Sequence, residues 1–376
     1  MTEAANLSAP RNSDMSTEPI RLVIAGLGAI ALNQYLPQIR EMHGVEVVAA
    51  CDPRSGWAER QCAQLGIPHA FTDVATMLAA VKADALVNLT SIPAHFSVNL
   101  AALQAGLHVY SQKPLAGSVA EASQLIDEAH ARGLRISASP IHMLRPEIQE
   151  VRRLVDAGAL GKVSLARVSA SHGGPEYFQY RDHDPSWFHQ PGAGALFDLG
   201  VHGLTTITGI LGPAKSVSCL AGIAEPVRTV RSGAFDGKEI TTEVPDNYLI
   251  TLDFGHASFA VVDSSFCVKA SNAPTLELFG TRGTVSMGRP GSDRGTSPTF
   301  DLYQDDAIHG IRGWVTPMLR ISRAGQAVGV ADLVASIREG RAPVLTPEHA
   351  RHVLEIMEAC PIAASEGRTL QMQTTF

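Results

Sequence analysis

The chain has 376 residues, 45% hydrophobic and 18% charged, with a formal net charge of −7. That length exceeds what one hydrophobic core usually supports, so two domains are expected, and the acidic balance argues against nucleic acid or an anionic membrane surface as partner. No apolar run approaches the roughly 20 residues that span a bilayer, and five dispersed cysteines without a CxxC or metal-ligand spacing read as free thiols of a reducing, cytoplasmic setting with no bound metal.

Residues 1–18 are polar and lack the apolar core of a secretion signal, so they are expected to form a disordered tail, with Met15 as a natural start. From there to about residue 140, strand and helix patterns alternate. The continuous apolar runs Ile20–Gly26, Val45–Asp52 and Ala85–Thr90 predict parallel strands buried on both faces. Shorter strands are predicted at His69–Thr72, His108–Ser111 and Leu134–Ser139. Helical patterns over Ala29–Met42, Arg54–Leu65, Asp73–Val81, Ala94–Gly106 and Ser118–Arg132 separate them. Such βαβ units predict a doubly wound dinucleotide-binding (Rossmann) domain over 19–140.

Beyond residue 141 the rhythm changes. A helix over Pro146–Ala157 and a strand over Lys162–Ser171 lead into an irregular stretch rich in aromatics and His, and then to a helix over Ala195–Ile210. Successive β-type runs follow without helices between them: Ser216–Ile223, Tyr248–Phe254, Ser258–Phe266, Thr275–Phe279 and Thr284–Met287. Helices at Gly329–Glu339 and Pro347–Glu366 close the chain. The fold class is therefore α/β, with an α+β second domain over 141–376 built on a mainly antiparallel open-faced sheet. Arg289–Pro298, rich in Gly, Ser and Pro, is expected to be a mobile loop.

Gly26-Leu27-Gly28-Ala29-Ile30-Ala31 directly follows a buried strand and opens a helix. Gly26 permits the tight turn, Gly28 lets the backbone approach a pyrophosphate, and Ala31 fills the slot where a small residue allows close helix–strand packing. The free N–H groups at Ala29 and Ile30 face the phosphates. Asp52, 21 residues after Ala31, stands at the second strand's end, where it would accept hydrogen bonds from the adenosine ribose. Its charge favours NAD, whereas Arg54 would pair with the 2′-phosphate of NADP, so NADP stays possible.

Three further segments carry chemistry. Ser111-Gln112-Lys113-Pro114 follows Ala105-Gly106-Leu107-His108-Val109; Thr90-Ser91-Ile92-Pro93-Ala94-His95 precedes both; and Gly194-Ala195-Leu196-Phe197-Asp198-Leu199-Gly200-Val201-His202 lies downstream. An imidazole titrates near neutral pH, so His202 can take a hydroxyl proton while a cofactor takes the hydride. Asp198, four residues earlier on the same predicted helix, is placed to orient that ring. Lys113, past the fifth strand's C-terminal end, would stabilise a developing alkoxide.

Together these segments resemble the glucose–fructose oxidoreductase/inositol dehydrogenase/MocA (Gfo/Idh/MocA) family, with Gln112 where its "EKP" signature has an acid. The resemblance implies that Thr90, Pro93, His95 and Gln112 run along the cofactor and that Lys113, Asp198 and His202 are catalytic and meet the substrate. It also implies that His142 and Arg145 enter the substrate pocket and that the second sheet's exposed face builds a homodimer or homotetramer. Tyr180 and Trp187, in the polar and aromatic stretch Tyr177–His189, suit a sugar or cyclitol, whose C–H faces stack on rings. The leading expectation is an NAD(P)-dependent dehydrogenase of a ring hydroxyl on a small sugar-like or cyclitol substrate. The alternatives are a redox-neutral epimerase or eliminating glycosidase working through transient oxidation, and a catalytically silent NAD-binding sensor.

Overall fold

The computed structural model describes residues 18–178, 184–288, 300–306, 310–317 and 325–376. The expected tail before Glu18, the substrate candidate Tyr180 with Arg181 and His183, and the expected loop over 289–298 lie outside the described residues.

The first sheet consists of β1 (Ile20–Ala25), β2 (Val45–Cys51), β3 (His69–Phe71), β4 (Ala85–Asn88), β5 (His108–Ser111) and β6 (Ile136–Ala138), in the order β3-β2-β1-β4-β5-β6. Every pairing is parallel. Leu22 through Ala25 are fully buried because helices cover both faces, which is what the unbroken apolar runs require. Strand order reverses between β1 and β4, and ligands of such sheets bind at the carboxyl ends there.

Around this sheet run α1 (Leu36–Ile39), α2 (Trp57–Leu65), α3 (Val74–Ala80), α4 (His95–Gln104) and α5 (Val119–Ala131). A π-turn over Ala31–Tyr35 leads into α1, so the first helix ends three residues before the expected Met42. Pro37 explains the wide turn: it has no N–H to continue the α-ladder, and its ring would strike the preceding turn.

The second sheet holds nine strands: β7 (Val163–Ser171), β8 (Ser216–Gly222), β11 (Asn247–Gly255), β12 (Ser258–Ser265), β13 (Leu276–Gly280), β14 (Gly283–Met287), β15 (Phe300–Asp306), β16 (Ile311–Val315) and β17 (Leu370–Gln371). A separate hairpin of β9 (Val227–Thr229) and β10 (Glu239–Thr241) lies outside it. The order is β16-β15-β14-β13-β7-β12-β11-β8-β17, antiparallel except for the parallel pair β7–β12. Along β11, Tyr248, Ile250, Leu252 and Phe254 are buried, whereas Leu249 faces outward with Leu220 and Phe259.

The inner face carries α6 (Pro146–Asp156) and α7 (Val201–Leu211). Gly203 presses α7 onto the sheet: a Cβ there would stand 3.0–3.2 Å from Ala170, Val262 and Val168. Of the last two helices, α8 (Val328–Glu339) packs on β5 and β6, and α9 (Pro347–Glu366) lies between α5, α7 and β8. Leu354 of α9 joins the core of the first sheet, and Ile356 and Met357 join the core shared with the second.

One buried charge cluster ties down the approach to α7. The Arg228 guanidinium, with no exposed surface, donates to Glu176 Oε1 and Asp246 Oδ2, each at 2.6 Å, and to the Phe266 carbonyl at 3.2 Å. His189 Nε2 lies 3.0 Å from the other Glu176 oxygen. Removing the cation strands two buried carboxylates, so Arg228→Met should lower the unfolding free energy by about 3–5 kcal/mol, measured by urea denaturation.

Candidate active site

The dinucleotide end is built by the β1–helix turn. Gly26 has φ +90°, and a Cβ there would meet the Leu89 carbonyl at 2.8 Å, so glycine alone lets the turn pass beside the end of β4. Nothing lies within 4 Å of a Cβ built on Gly28, which leaves room for a ligand to approach its backbone just before the helix begins at Ala29. Asp52 sits at the end of β2 as expected. Its Oδ2 accepts the Leu27 N–H at 3.0 Å, and Arg54 clasps both carboxylate oxygens at 2.7 Å. The Arg54 guanidinium also stacks on Trp57, 4.4 Å from the ring centroid. These residues fit a dinucleotide: an open glycine turn for the pyrophosphate and a strand-end carboxylate for the ribose.

The centre is built where the β5 loop meets the start of α7. Lys113 Nζ donates to the Phe197 carbonyl at 3.1 Å, the Asp198 carbonyl at 2.9 Å and Asp198 Oδ1 at 3.2 Å. Both side chains are largely buried, and Asp198 Oδ2 has no hydrogen-bond partner. This corrects the expectation that Asp198 orients His202. The residues Leu196–Gly200 form a π-turn in which an i,i+4 pair no longer shares one face, and the ammonium takes the carboxylate instead. Gly200 allows that turn to press against β12, since a Cβ would lie 3.0 Å from Ser264 Oγ.

His202 is held by a residue from the other side of the cleft. Its Nδ1 lies 3.1 Å from His142 Nε2, and His142 Nδ1 lies 2.8 Å from Thr206 Oγ1. Thr206, one turn after His202 on α7, was not singled out by the sequence, although its i+4 spacing was visible. Burial pushes the His202 pKa well down, helped by the positive charges of Lys113 and Arg145 and by His142. Burial, with Arg145, lowers His142 to about 3. Both rings are therefore neutral in neutral solution. They border a cavity of about 260 Å³ reached also by Arg145, Ser169, Ser171 and Thr275.

Other candidates have different employment. His95 is buried and bridges the Pro114 and Thr90 carbonyls at 2.6 and 3.1 Å, so it fastens the two loops to each other rather than meeting a ligand. Thr90 Oγ1 bonds Asn88, and Pro93 is exposed. The Trp187 ring stacks on Phe188 and is 41% exposed, outside the cavity that His142 and His202 line. Asp184 pairs with Lys238, and His189 with Glu176. Gln112 turns away from the ammonium: its Oε1 accepts the Lys113 N–H at 2.8 Å and the Ser139 hydroxyl at 2.6 Å, and its Nε2 donates to Tyr35 at 3.0 Å. A carboxylate cannot make that donation, and burial has pushed the Tyr35 hydroxyl up to about 12, so it stays protonated.

A doubly wound sheet with an open glycine turn, facing a buried lysine and a neutral imidazole, defines a dinucleotide-dependent oxidoreductase. Residues 20–139 match the oxidoreductase family with an NAD-binding Rossmann fold, and residues 148–286 match the GFO/IDH/MocA C-terminal domain. The chain belongs to the Gfo/Idh/MocA family and is an NAD(P)-dependent enzyme of the sugar-oxidoreductase type. It is similar to D-glucoside 3-dehydrogenase of Escherichia coli (strain K12), 28% identical over 260 residues, or 68% of this chain and 73% of that protein. It is also similar to D-apiose dehydrogenase of Paraburkholderia graminis, 25% identical over 366 residues, or 93% of this chain and 89% of that one. An NAD-binding oxidoreductase structure from Klebsiella pneumoniae shares the fold, with TM-score 0.78 and 20% identity over 95% of this chain and 100% of that one.

The buried imidazoles set an acid limit on the fold. His349, which bonds Thr208 of α7 at 2.8 Å, is lowered to about 3 by burial, as is His142. Between pH 6.5 and 3 the unfolded state therefore binds protons that the native state does not, and stability falls as pH falls. Denaturant titrations at pH 7 and pH 5 should differ by about 2 kcal/mol for each of these two histidines.

Proposed function

We propose that this enzyme oxidises a ring hydroxyl of a small sugar, glycoside or cyclitol. The observation that carries this reading is the junction of Lys113 with the π-turn before His202, which brings an ammonium to the start of the helix whose neutral imidazole borders a small cavity. The sugar-directed names of the two curated relatives support the substrate class. The bound dinucleotide supplies the hydride acceptor.

The chain's own groups handle the hydroxyl. Lys113 exchanges one of its three acceptors for the substrate oxygen and stabilises the negative charge that grows there. Asp198 accepts from that ammonium through Oδ1 and so fixes its place. Thr206 Oγ1 donates to the His202 carbonyl, 2.9 Å away, and so accepts from His142 Nδ1–H. His142 Nε2 then accepts from His202 Nδ1–H, which leaves a lone pair on His202 Nε2 to take the hydroxyl proton. His142 is thus a positioning residue that selects the tautomer of the base.

Lys113→Ala should retain NAD binding in a fluorescence titration while kcat for NADH formation falls by roughly 10²–10³-fold. Near-normal turnover would refute the mechanism, and turnover of a sugar without stoichiometric NADH would show redox-neutral chemistry instead. For His142→Leu, kcat should drop by up to about tenfold. His142→Gln, whose side-chain oxygen restores the acceptor, should recover most of the rate; failure to do so would assign His142 a purely structural part.

A further inference from the structure

We propose that the cavity beside His202 selects a substrate bearing an oxyanion, a sugar acid whose carboxylate is bound by Arg145; this rests on the sugar-oxidising reading above. Arg145 stands at the start of α6, and its side chain lines the same cavity as His142 and His202. Among the described residues it has no ion pair and no side-chain hydrogen bond. Other partly buried arginines each have a side-chain partner: Arg21 holds Asp84 and Arg341 holds Asp332, while Arg135 and Arg338 donate to the Arg341 and Gly44 carbonyls and Arg351 to the Ser123 hydroxyl.

The rest of the lining contains no Asp or Glu to neutralise it. Behind the wall, the Asp263 carboxylate accepts from Ser169 at 2.9 Å and Ser171 at 2.5 Å and forms no pair with Arg145. The two imidazoles are neutral, so the guanidinium is the one full charge among the described cavity walls.

A half-buried guanidinium without a counter-ion binds a planar carboxylate through two parallel N–H bonds, and a ligand that supplies one is favoured over its neutral analogue. The volume of about 260 Å³ lies below the range of roughly 300–1,000 Å³ typical of drug-sized ligands, which suits a single sugar ring rather than a larger conjugate. Arg145 and His202 line the same cavity of about 260 Å³, so the oxyanion and the reacting hydroxyl belong to one small molecule.

The test compares methyl glucuronide, methyl glucoside and glucose 6-phosphate as substrates for the wild type, Arg145→Met and Arg145→Lys. Calorimetric binding of each to the NADH-loaded enzyme runs in parallel. The wild type should favour the glucuronide over the glucoside by about tenfold or more in kcat/KM, and Arg145→Met should erase that preference mainly through KM. Arg145→Lys should keep part of it. A preference for the phosphate over the glucuronide would overturn the carboxylate assignment, and equal use of neutral and anionic sugars by the wild type would overturn the proposal entirely. If Arg145-dependent glucuronide binding is seen without NADH formation from any sugar, the oxidation reading fails and the anion site stands. NADH from the glucoside with no effect of Arg145→Met would instead sustain the oxidation reading and refute the anion site.

Discussion

The architecture turns on a single ammonium group. Lys113, carried on the loop after β5, is held by two carbonyls and one carboxylate of the π-turn Leu196–Gly200. That contact joins the carboxyl edge of the first sheet to the start of the helix that lies on the second. A charge taken out of water needs several acceptors to offset its lost hydration, and the turn offers three in one place. Around this junction the remaining elements follow: His95 fastens the neighbouring loops, and the Gln112 amide anchors the Lys113 backbone. α9 spans from the first sheet's core to the second's.

The same junction decides which groups are left for chemistry. Because Lys113 engages one oxygen of Asp198, that carboxylate does not serve as the counter-ion of His202. The imidazole is instead kept neutral, buried beside two cations and paired with another neutral ring. A base of this kind needs no negative partner; it needs the right tautomer, which a chain of hydrogen bonds ending on Thr206 supplies. Gln112 belongs to this logic as well. An amide donates to Tyr35 and accepts from Ser139 and the Lys113 backbone, so the position next to the lysine is satisfied without adding a second negative charge.

Much of this was legible in the chain. Unbroken apolar strands, helices of ordinary length and the turn at Gly26 and Gly28 announced the first sheet, because a strand buried on both faces has no polar positions to hide. Asp52 and Lys113 were found because each sits at a fixed offset from a strand end. The second sheet was less legible at its margins. β9, β10 and β17 are two- or three-residue strands, too short for a period-two pattern, and the parallel pairing of β7 with β12 joins segments almost a hundred residues apart. The orientation of His95 and Trp187 was not legible for a related reason: neither a motif nor a residue type tells which way a side chain faces.

By itself, the sequence determined the doubly wound sheet, the dinucleotide turn and the presence of a lysine, an aspartate and a histidine that converge on one site. These follow from local periodicity, from glycine's tolerance of positive φ and from motif spacing. The tertiary structure alone decided how those groups pair. Whether Asp198 meets His202 or Lys113 depends on a π-turn shaped by packing against β12. The neutrality of His142 and His202, like the unpartnered charge of Arg145, depends on burial, which arises only when elements distant in the chain close over the same small cavity.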